Sequence, residues 1–373
     1  MGLKIATFGN QHMNLGHAIA ADLTLAGHEV SILDLPEYAE NIEGIKKQGG
    51  IHVDGNTDAL TSGKTGFAEI GLVTTDPEEA LRDADLIFLD VPADALEKRV
   101  RAIAPFIKDG AVLHFNYYGY WSSLRVAPIL KEFGKENISL TECPSALYFA
   151  RGKDGYLTFS IMRRGIPLAV FPGGRSDEVF GLMHFLYPDF VRAKNILETN
   201  FMNLNMIWHA SISLLNLAHF DRLKESGEDT VHFYGTGITA HTGLLTEVQD
   251  REREAACTAY GVSYVPFRDL IKQFCDGTGK TMTEAQRNCN FVKSSAPFPI
   301  DIWARWLGWD IPLAMVPFVS LADLAGVHMP IHRGLVDIFS ALMETNFRET
   351  GLTLDRLGLA GMSPEEIIHY VTK

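Results

Sequence analysis

The segment Asn203-Leu-Asn205-Met-Ile-Trp-His209 sets an amide and an imidazole four residues apart. On a helix that spacing puts both on one face. A histidine exchanges protons near neutral pH, and an asparagine beside it can hold a polar group of a substrate. A second segment, Arg305-Trp-Leu-Gly-Trp-Asp310, carries a guanidinium and a carboxylate. The first can clamp a substrate carboxylate through two parallel N–H bonds. The second can fix a histidine tautomer and stabilise its imidazolium. Taken singly, each residue has a plainer use: the histidine as a packing group, the arginine and aspartate as surface partners.

The opening of the chain points to different chemistry. A first strand, Leu3–Phe8, runs into Gly9-Asn-Gln-His-Met-Asn-Leu-Gly16 and then a helical pattern, Gly16–Ala26. A glycine-rich turn between a strand and a helix N-terminus presents free N–H groups to a pyrophosphate. Here the central glycine of the usual G-x-G-x-x-G is absent, and the loop carries two extra residues, so that His12 and Met13 stand near the phosphates. Gly9, Asn10, Gly16 and His17 are the candidate contacts; the two glycines would equally serve a tight turn. A second strand, Glu29–Asp34, ends on an acidic side chain that suits an adenosine ribose and repels a 2′-phosphate, favouring NAD(H) over NADP(H). Asp34 can also be read as a turn residue before Leu35-Pro36. Val91-Pro92, closing the strand Leu86–Val91, either borders the cofactor groove or simply stops the strand.

These residues need a scaffold, and the first half of the chain supplies a recognisable one. Helix patterns begin at the N-cap Asp76-Pro-Glu-Glu and span Asp94–Phe106, and a further strand covers Ala111–Phe115. The alternation predicts an α/β fold with a parallel sheet. Gly155–Met162 and Ile166–Phe171 read as two more strands at the far side of that sheet. Beyond about residue 196 the periodicity is helical, in Phe201–Phe220, Leu244–Tyr260 and Ile331–Thr345, the last opening at Pro330; Ser363-Pro-Glu-Glu starts a short final helix. The expected organisation is an N-terminal Rossmann dinucleotide-binding domain over 1–190 and an all-helical catalytic domain over 191–373, with a cleft between them.

Composition narrows the function classes. The chain has 373 residues, is 46% hydrophobic and carries a formal net charge of −13. It has no basic surplus with which to neutralise phosphates, which argues against nucleic-acid and anionic-membrane partners. No signal peptide and no uninterrupted apolar run of membrane-spanning length is read. Cys143, Cys257, Cys275 and Cys289 lack zinc-site spacing, so no metal is expected; they read as reduced packing thiols of a cytoplasmic protein. A homodimer is the expected assembly, though the oligomeric state stays open.

Taken together, the chain resembles the octopine/nopaline (opine) dehydrogenase family, especially its bacterial N-(1-carboxyethyl)amino-acid dehydrogenase branch. The resemblance rests on GHAIAADLTLAGHEV, VPA at 91–93, NLNMIWH at 203–209, GIT at 237–239, EVQDRER at 247–253, RWLGWDIP at 305–312 and the terminal NFRETGLTLDRLGL. It implies an NAD(P)H-dependent enzyme that joins a 2-oxo acid to an amine or amino acid and reduces the imine. It places the catalytic histidine on His209, its partner on Asp310, the substrate-carboxylate arginine on Arg305 and the active-site asparagine on Asn205.

The sequence departs from the family pattern at four places. Ala210 follows the histidine in place of proline, and Trp309 precedes the aspartate in place of glutamate. The glycine loop is altered, and a family Asn-Pro-Gly loop is here Asn116-Tyr117-Tyr118-Gly-Tyr120-Trp121. At least one of these rings, Tyr117 foremost, is expected to line the substrate site, although all could instead pack beneath the helix that begins near Ser122. Glu142, at a strand end, is either a further polar contact or a solvated residue. Two other readings stand beside this one. A ketopantoate-reductase-like oxo-acid reductase would carry a lysine four residues before the asparagine, and none is present near Asn205. The altered loops suit a non-catalytic NAD-binding protein.

Overall fold

The computed structural model describes residues 3–9, 14–116 and 119–373. Two compact units emerge: Met1–Thr199 with Val371–Lys373, and Asn200–Tyr370.

The first unit is built on an eight-stranded sheet. In chain order its strands are β1 (Lys4–Phe8), β2 (Glu29–Leu33), β5 (Leu72–Thr74), β6 (Leu86–Leu89), β7 (Val112–Phe115), β8 (Ser139–Glu142), β11 (Pro167–Phe171) and β12 (Val191–Arg192). The remaining strands of the unit, β3 (Gly50–Gly55), β4 (Gly66–Glu69), β9 (Tyr148–Lys153) and β10 (Tyr156–Met162), form a second sheet. In the main sheet the spatial order is β12-β11-β8-β7-β6-β1-β2-β5. Its central pairs are parallel, and β11 runs antiparallel to β8. The runs LIFL of β6 and VLHF of β7 are buried at every position, as parallel strands covered on both faces must be. Asp76 caps its helix as its sequence suggests, accepting from the Glu78 N–H at 2.9 Å, with Pro77 in the first turn.

Two expectations are corrected here. The strand expected over Gly155–Met162 belongs to the second sheet, where β10 runs parallel to β3 and antiparallel to β9. Its sequence carries the reason. From Tyr156 to Phe159 exposed and buried residues alternate, whereas every residue of β11 is buried. Strict alternation marks a sheet with one wet face, and a continuous apolar run marks a covered strand. Residues 191–199, assigned by sequence to the second domain, lie with the first unit, because β12 pairs with β11.

The second unit is helical, with one short antiparallel ladder between Thr230–Val231 and Phe298–Pro299. Its long helices are Asn205–Glu225, Ala240–Ala259 and Pro330–Leu342, with Pro330 in the first turn of the last. A further helix runs from Ile302 to Trp309, widens into a π-helical turn over Asp310–Met315, and continues over Val316–Leu324. By length and mean hydropathy alone the segment Ile302–Leu324 could span a membrane, although Arg305, Asp310 and Asp323 interrupt its apolar run; two thirds of an 18-residue stretch of it is buried inside the protein. A core helix has this same composition. The final helix, Pro364–Thr372, starts with reciprocal bonds between Ser363 and Glu366.

Candidate active site

In the second unit His209 is buried, and its two ring nitrogens have different partners. Nδ1 lies 2.7 Å from the Asp310 carboxylate, and Nε2 lies 2.6 Å from the Tyr234 hydroxyl. A carboxylate with no proton can only accept, so Nδ1 carries the hydrogen and Nε2 presents its lone pair to the Tyr234 O–H. On one face the imidazole stacks on Trp306, with ring centroids 4.4 Å apart and planes inclined by 15°. Trp306 and Asp310 are four residues apart in one helix, so a single face delivers both the stacking ring and the carboxylate. The π-turn begins at Asp310 itself, and such turns often occur at functional positions. Such an arrangement can serve as a base at Nε2, with Asp310 at Nδ1 and Trp306 over the ring face able to stabilise the imidazolium.

Arg305 is exposed, with its guanidinium 5.2 Å from the Trp309 ring centroid. Among the described residues no carboxylate pairs with it. Asn205 is half-buried, one turn before His209, and its N–H donates to the Asn203 side chain at 3.0 Å.

In the first unit, the carboxyl ends of five adjacent strands present Glu142, Asn116, Asp90, Gly9 and Asp34, following β8, β7, β6, β1 and β2. Ligands of open α/β sheets bind at this edge. Both glycines are needed for close approach. A side chain at Gly16 would overlap the Phe8 carbonyl, and one at Gly9 would overlap the His17 ring. Gly16 N–H donates to the Asp90 carboxylate at 2.9 Å. Burial pushes the Asp90 carboxyl up to about 7, against the opposing N–H bonds of Gly16 and Leu15, and lowers His17 to about 4. The buried Asn116 has no hydrogen-bond partner for either amide atom among the described residues. That orphaned amide at the ligand edge of the sheet fits a dinucleotide, while the two glycines let the turn pack closely on Phe8 and His17.

Asp34 stands at its expected place but is already engaged. It is buried, accepts from the Leu35 N–H at 2.8 Å and from Asn41 at 2.7 Å, and pairs with the buried Arg99, which lies over the Tyr38 ring. Glu142 is fully buried rather than solvated, and takes hydrogen bonds from the Ser123 N–H and hydroxyl at 3.0 Å each. Val91 is buried and Pro92 half-buried after β6. Tyr120 and Trp121 are buried; Tyr120 lines a small cavity together with Val91, Phe115 and Arg125, and its carbonyl accepts from Arg125 at 3.3 Å. Asn10, His12, Met13, Tyr117 and Tyr118 lie outside the described residues.

Residues 192–343 match the family described as NAD/NADP octopine/nopaline dehydrogenase, alpha-helical domain. The chain resembles the opine dehydrogenases, as its motifs imply. An opine dehydrogenase of Arthrobacter sp. (strain 1C) is 29% identical over 351 residues, covering 94% of each chain. A structure of octopine dehydrogenase with NADH and L-arginine superimposes with a TM-score of 0.74 at 20% identity, covering 99% of this chain and 98% of the other. A ketopantoate reductase from Ralstonia eutropha shares the fold less closely, with a TM-score of 0.56 at 14% identity over 93% of this chain and 99% of that one.

Several of the motifs that carry the opine dehydrogenase resemblance turn out to hold the fold around the site. In EVQDRER, Asp250 accepts from Arg253, from the Tyr264 hydroxyl and from the Phe267 N–H, and Glu252 caps the helix Pro330–Leu342. GIT ends in Thr239, which caps the helix Ala240–Ala259. The terminal NFRETGL braces the π-turn: the Leu352 N–H donates to the Pro312 carbonyl at 2.9 Å, and a side chain at Gly351 would come within 2.8 Å of that same oxygen. Sequence reasoning missed Tyr234, Trp306 and Arg99. Trp306 was within reach, four residues before Asp310. Nothing in the spacing connects Tyr234 to His209, or Arg99 to Asp34.

Proposed function

We propose that this protein is an NAD(H)-dependent dehydrogenase acting on CH–NH bonds, which condenses a 2-oxo acid with an amine or amino acid and reduces the imine, or runs the reverse. The observation that carries this reading is the buried Asp310–His209 pair with its oriented Nε2, inside a domain of the octopine/nopaline dehydrogenase type. The pair takes the proton released when the amine attacks and returns one when the oxygen leaves as water. Arg305 holds the oxo-acid carboxylate, and Asn205 holds a second polar group.

The cofactor belongs at the strand ends of the first unit. The pyrophosphate lies beside the helix N-terminus that Gly9 and Gly16 let pack against the first strand, with His17, Val91 and Pro92 bordering it, and Asn116 offers its amide. Bound there, NADH supplies the hydride that reduces the substrate carbon. Asp34 favours NAD(H), and Arg99 moderates that choice. Glu142 acts by holding Ser123 at the start of the helix Ser122–Glu132 rather than by meeting substrate. A cytoplasmic setting suits the four buried cysteines.

The test is a panel assay following NADH oxidation with several 2-oxo acids, each with and without a set of amines. Oxidation that requires both partners is the expected result. Oxidation with the oxo acid alone would favour simple carbonyl reduction, and cofactor binding without turnover would favour a binding protein.

A further inference from the structure

In this structure the base nitrogen of His209 is covered. The Tyr234 hydroxyl lies 2.6 Å from Nε2, and both side chains are about 4% exposed. A substrate atom that exchanged a proton with Nε2 directly would have to occupy the place of that oxygen. Either the tyrosine leaves, or the proton passes through it.

The packing favours passage. The Tyr234 ring is enclosed by Trp208 at 5.1 Å, Phe233 at 5.1 Å, Phe291 at 4.9 Å, Phe298 at 6.0 Å and Trp306 at 5.8 Å between centroids. Swinging it out would break several edge-to-face contacts, each worth about 0.5–1.5 kcal/mol beyond its buried area, and would leave a cavity among aromatic rings. A phenol hydroxyl both donates and accepts, so it can pass a proton without moving its ring.

We propose that Tyr234 is the proton relay of this site, a catalytic residue whose hydroxyl meets the reacting nitrogen and oxygen while His209 and Asp310 serve it from behind. This rests on the reaction proposed above. A neutral amine attacks the oxo carbon, forming the C–N bond and leaving a surplus proton on nitrogen. Tyr234 Oη accepts that proton as its own passes to Nε2, giving the imidazolium held by Asp310 and Trp306. When the C–O bond breaks, Nε2 returns a proton through Oη to the departing oxygen. That oxygen leaves as water with one further proton from solvent, which is the single proton the overall reduction consumes. His209 ends neutral, as it began.

The experiment compares wild type, Tyr234→Phe and His209→Asn, using an oxo-acid and amine pair that wild type turns over. Phenylalanine keeps the ring and loses only the oxygen. For Tyr234→Phe the expected result is a kcat lower by about 10²–10³-fold, with both KM values within about threefold and the melting temperature close to wild type. A solvent deuterium effect on kcat should be present in wild type and changed in Tyr234→Phe, a readout that a packing role would leave alone. In histidine-labelled protein, loss of the Oη–H donor should also move the His209 Nε2 nitrogen resonance seen by NMR, which needs no turnover. Near-native kcat in Tyr234→Phe alongside an inactive His209→Asn overturns the relay and leaves the proposed function intact. A faster Tyr234→Phe also overturns it, since the tyrosine would then be an obstruction. A wild type inactive with every pair overturns the function, and the relay with it.

Discussion

His209 Nδ1 meets the Asp310 carboxylate at 2.7 Å inside the helical unit, although the two residues are separated by most of that unit's sequence. Each comes from a different helix, and the π-turn at Asp310 sets the height at which they meet. Replacing His209 with Asn should lower turnover by about 10²–10⁴-fold, as loss of an acid–base group does. Asp310→Asn should do nearly as much, because it disturbs the tautomer and the imidazolium. Cofactor titrations of both variants should match wild type. Steady-state rates near wild type for the two would show that the pair is structural.

Arg305 should act on substrate rather than on stability. Lysine keeps its charge and loses the planar fork, so Arg305→Lys should cost about 1–3 kcal/mol in kcat/KM. The melting temperature should hold, since the side chain is exposed and no carboxylate among the described residues pairs with it. Substrate amides or esters should be poor and indifferent to the substitution. Amides as good as the free acids would speak against a carboxylate clamp.

The Arg99–Asp34 pair bears on cofactor choice. Competing fluorescence titrations should show NADH bound more tightly than NADPH, but by less than about tenfold, or ~1.4 kcal/mol, because a buried guanidinium already offsets the carboxylate. Arg99→Gln should widen the preference. It should also destabilise the first unit by about 3–5 kcal/mol, the cost of leaving one member of a buried pair alone. A wild-type preference for NADPH would remove Asp34 as the discriminating group.

Asp90 gives the protein a pH signature. Its folded-state pKa, raised by burial to about 7, means that the native state binds the extra proton between the ordinary carboxylate range and neutrality. Stability from this group is therefore highest in acid and falls as pH rises through that window, by about 1.4 kcal/mol per pH unit. Asp90→Asn should gain on wild type progressively in denaturant melts between about pH 4 and 7, and level off above. The opposing contributions of the buried His17 and His114 are common to both proteins and cancel. A pH-independent difference would place an unprotonated carboxylate there.

Gly351→Ala tests the brace on the π-turn. The added methyl would lie 2.7 Å from the Phe347 carbonyl oxygen and 2.8 Å from that of Pro312. Overpacking of this kind costs about 1–3 kcal/mol, and its relief would shift the turn that starts at Asp310. Thermal melts and kcat should fall together, with cofactor affinity preserved. Unchanged kcat in a destabilised protein would separate the brace from the chemistry.

Periodicity alone determined β1, β2, β6, β7 and β11 and the helices that follow β1, β5 and β6, because a covered parallel strand must be a continuous apolar run and its helices must repeat every three to four residues; it did not reveal β3, β4, β5, β9 or β12. Residue type determined which groups could do chemistry: His209 as base, Asp310 as its partner, Arg305 as a cation, and two glycines ahead of the first helix. What the sequence could not determine were relations between side chains brought together by packing. Tyr234 covers His209 because a short helix, Phe233–Gly237, folds against the helix Asn205–Glu225. Arg99 reaches from the helix Leu96–Ile103 to Asp34, the residue just after β2, across 65 positions of sequence. The strand Tyr156–Met162 joined a second sheet because β3 and β9 offered it edges, a choice that strand propensity does not encode. Such neighbours are set by long-range burial and hydrogen-bond satisfaction, which leave no fixed interval in the chain.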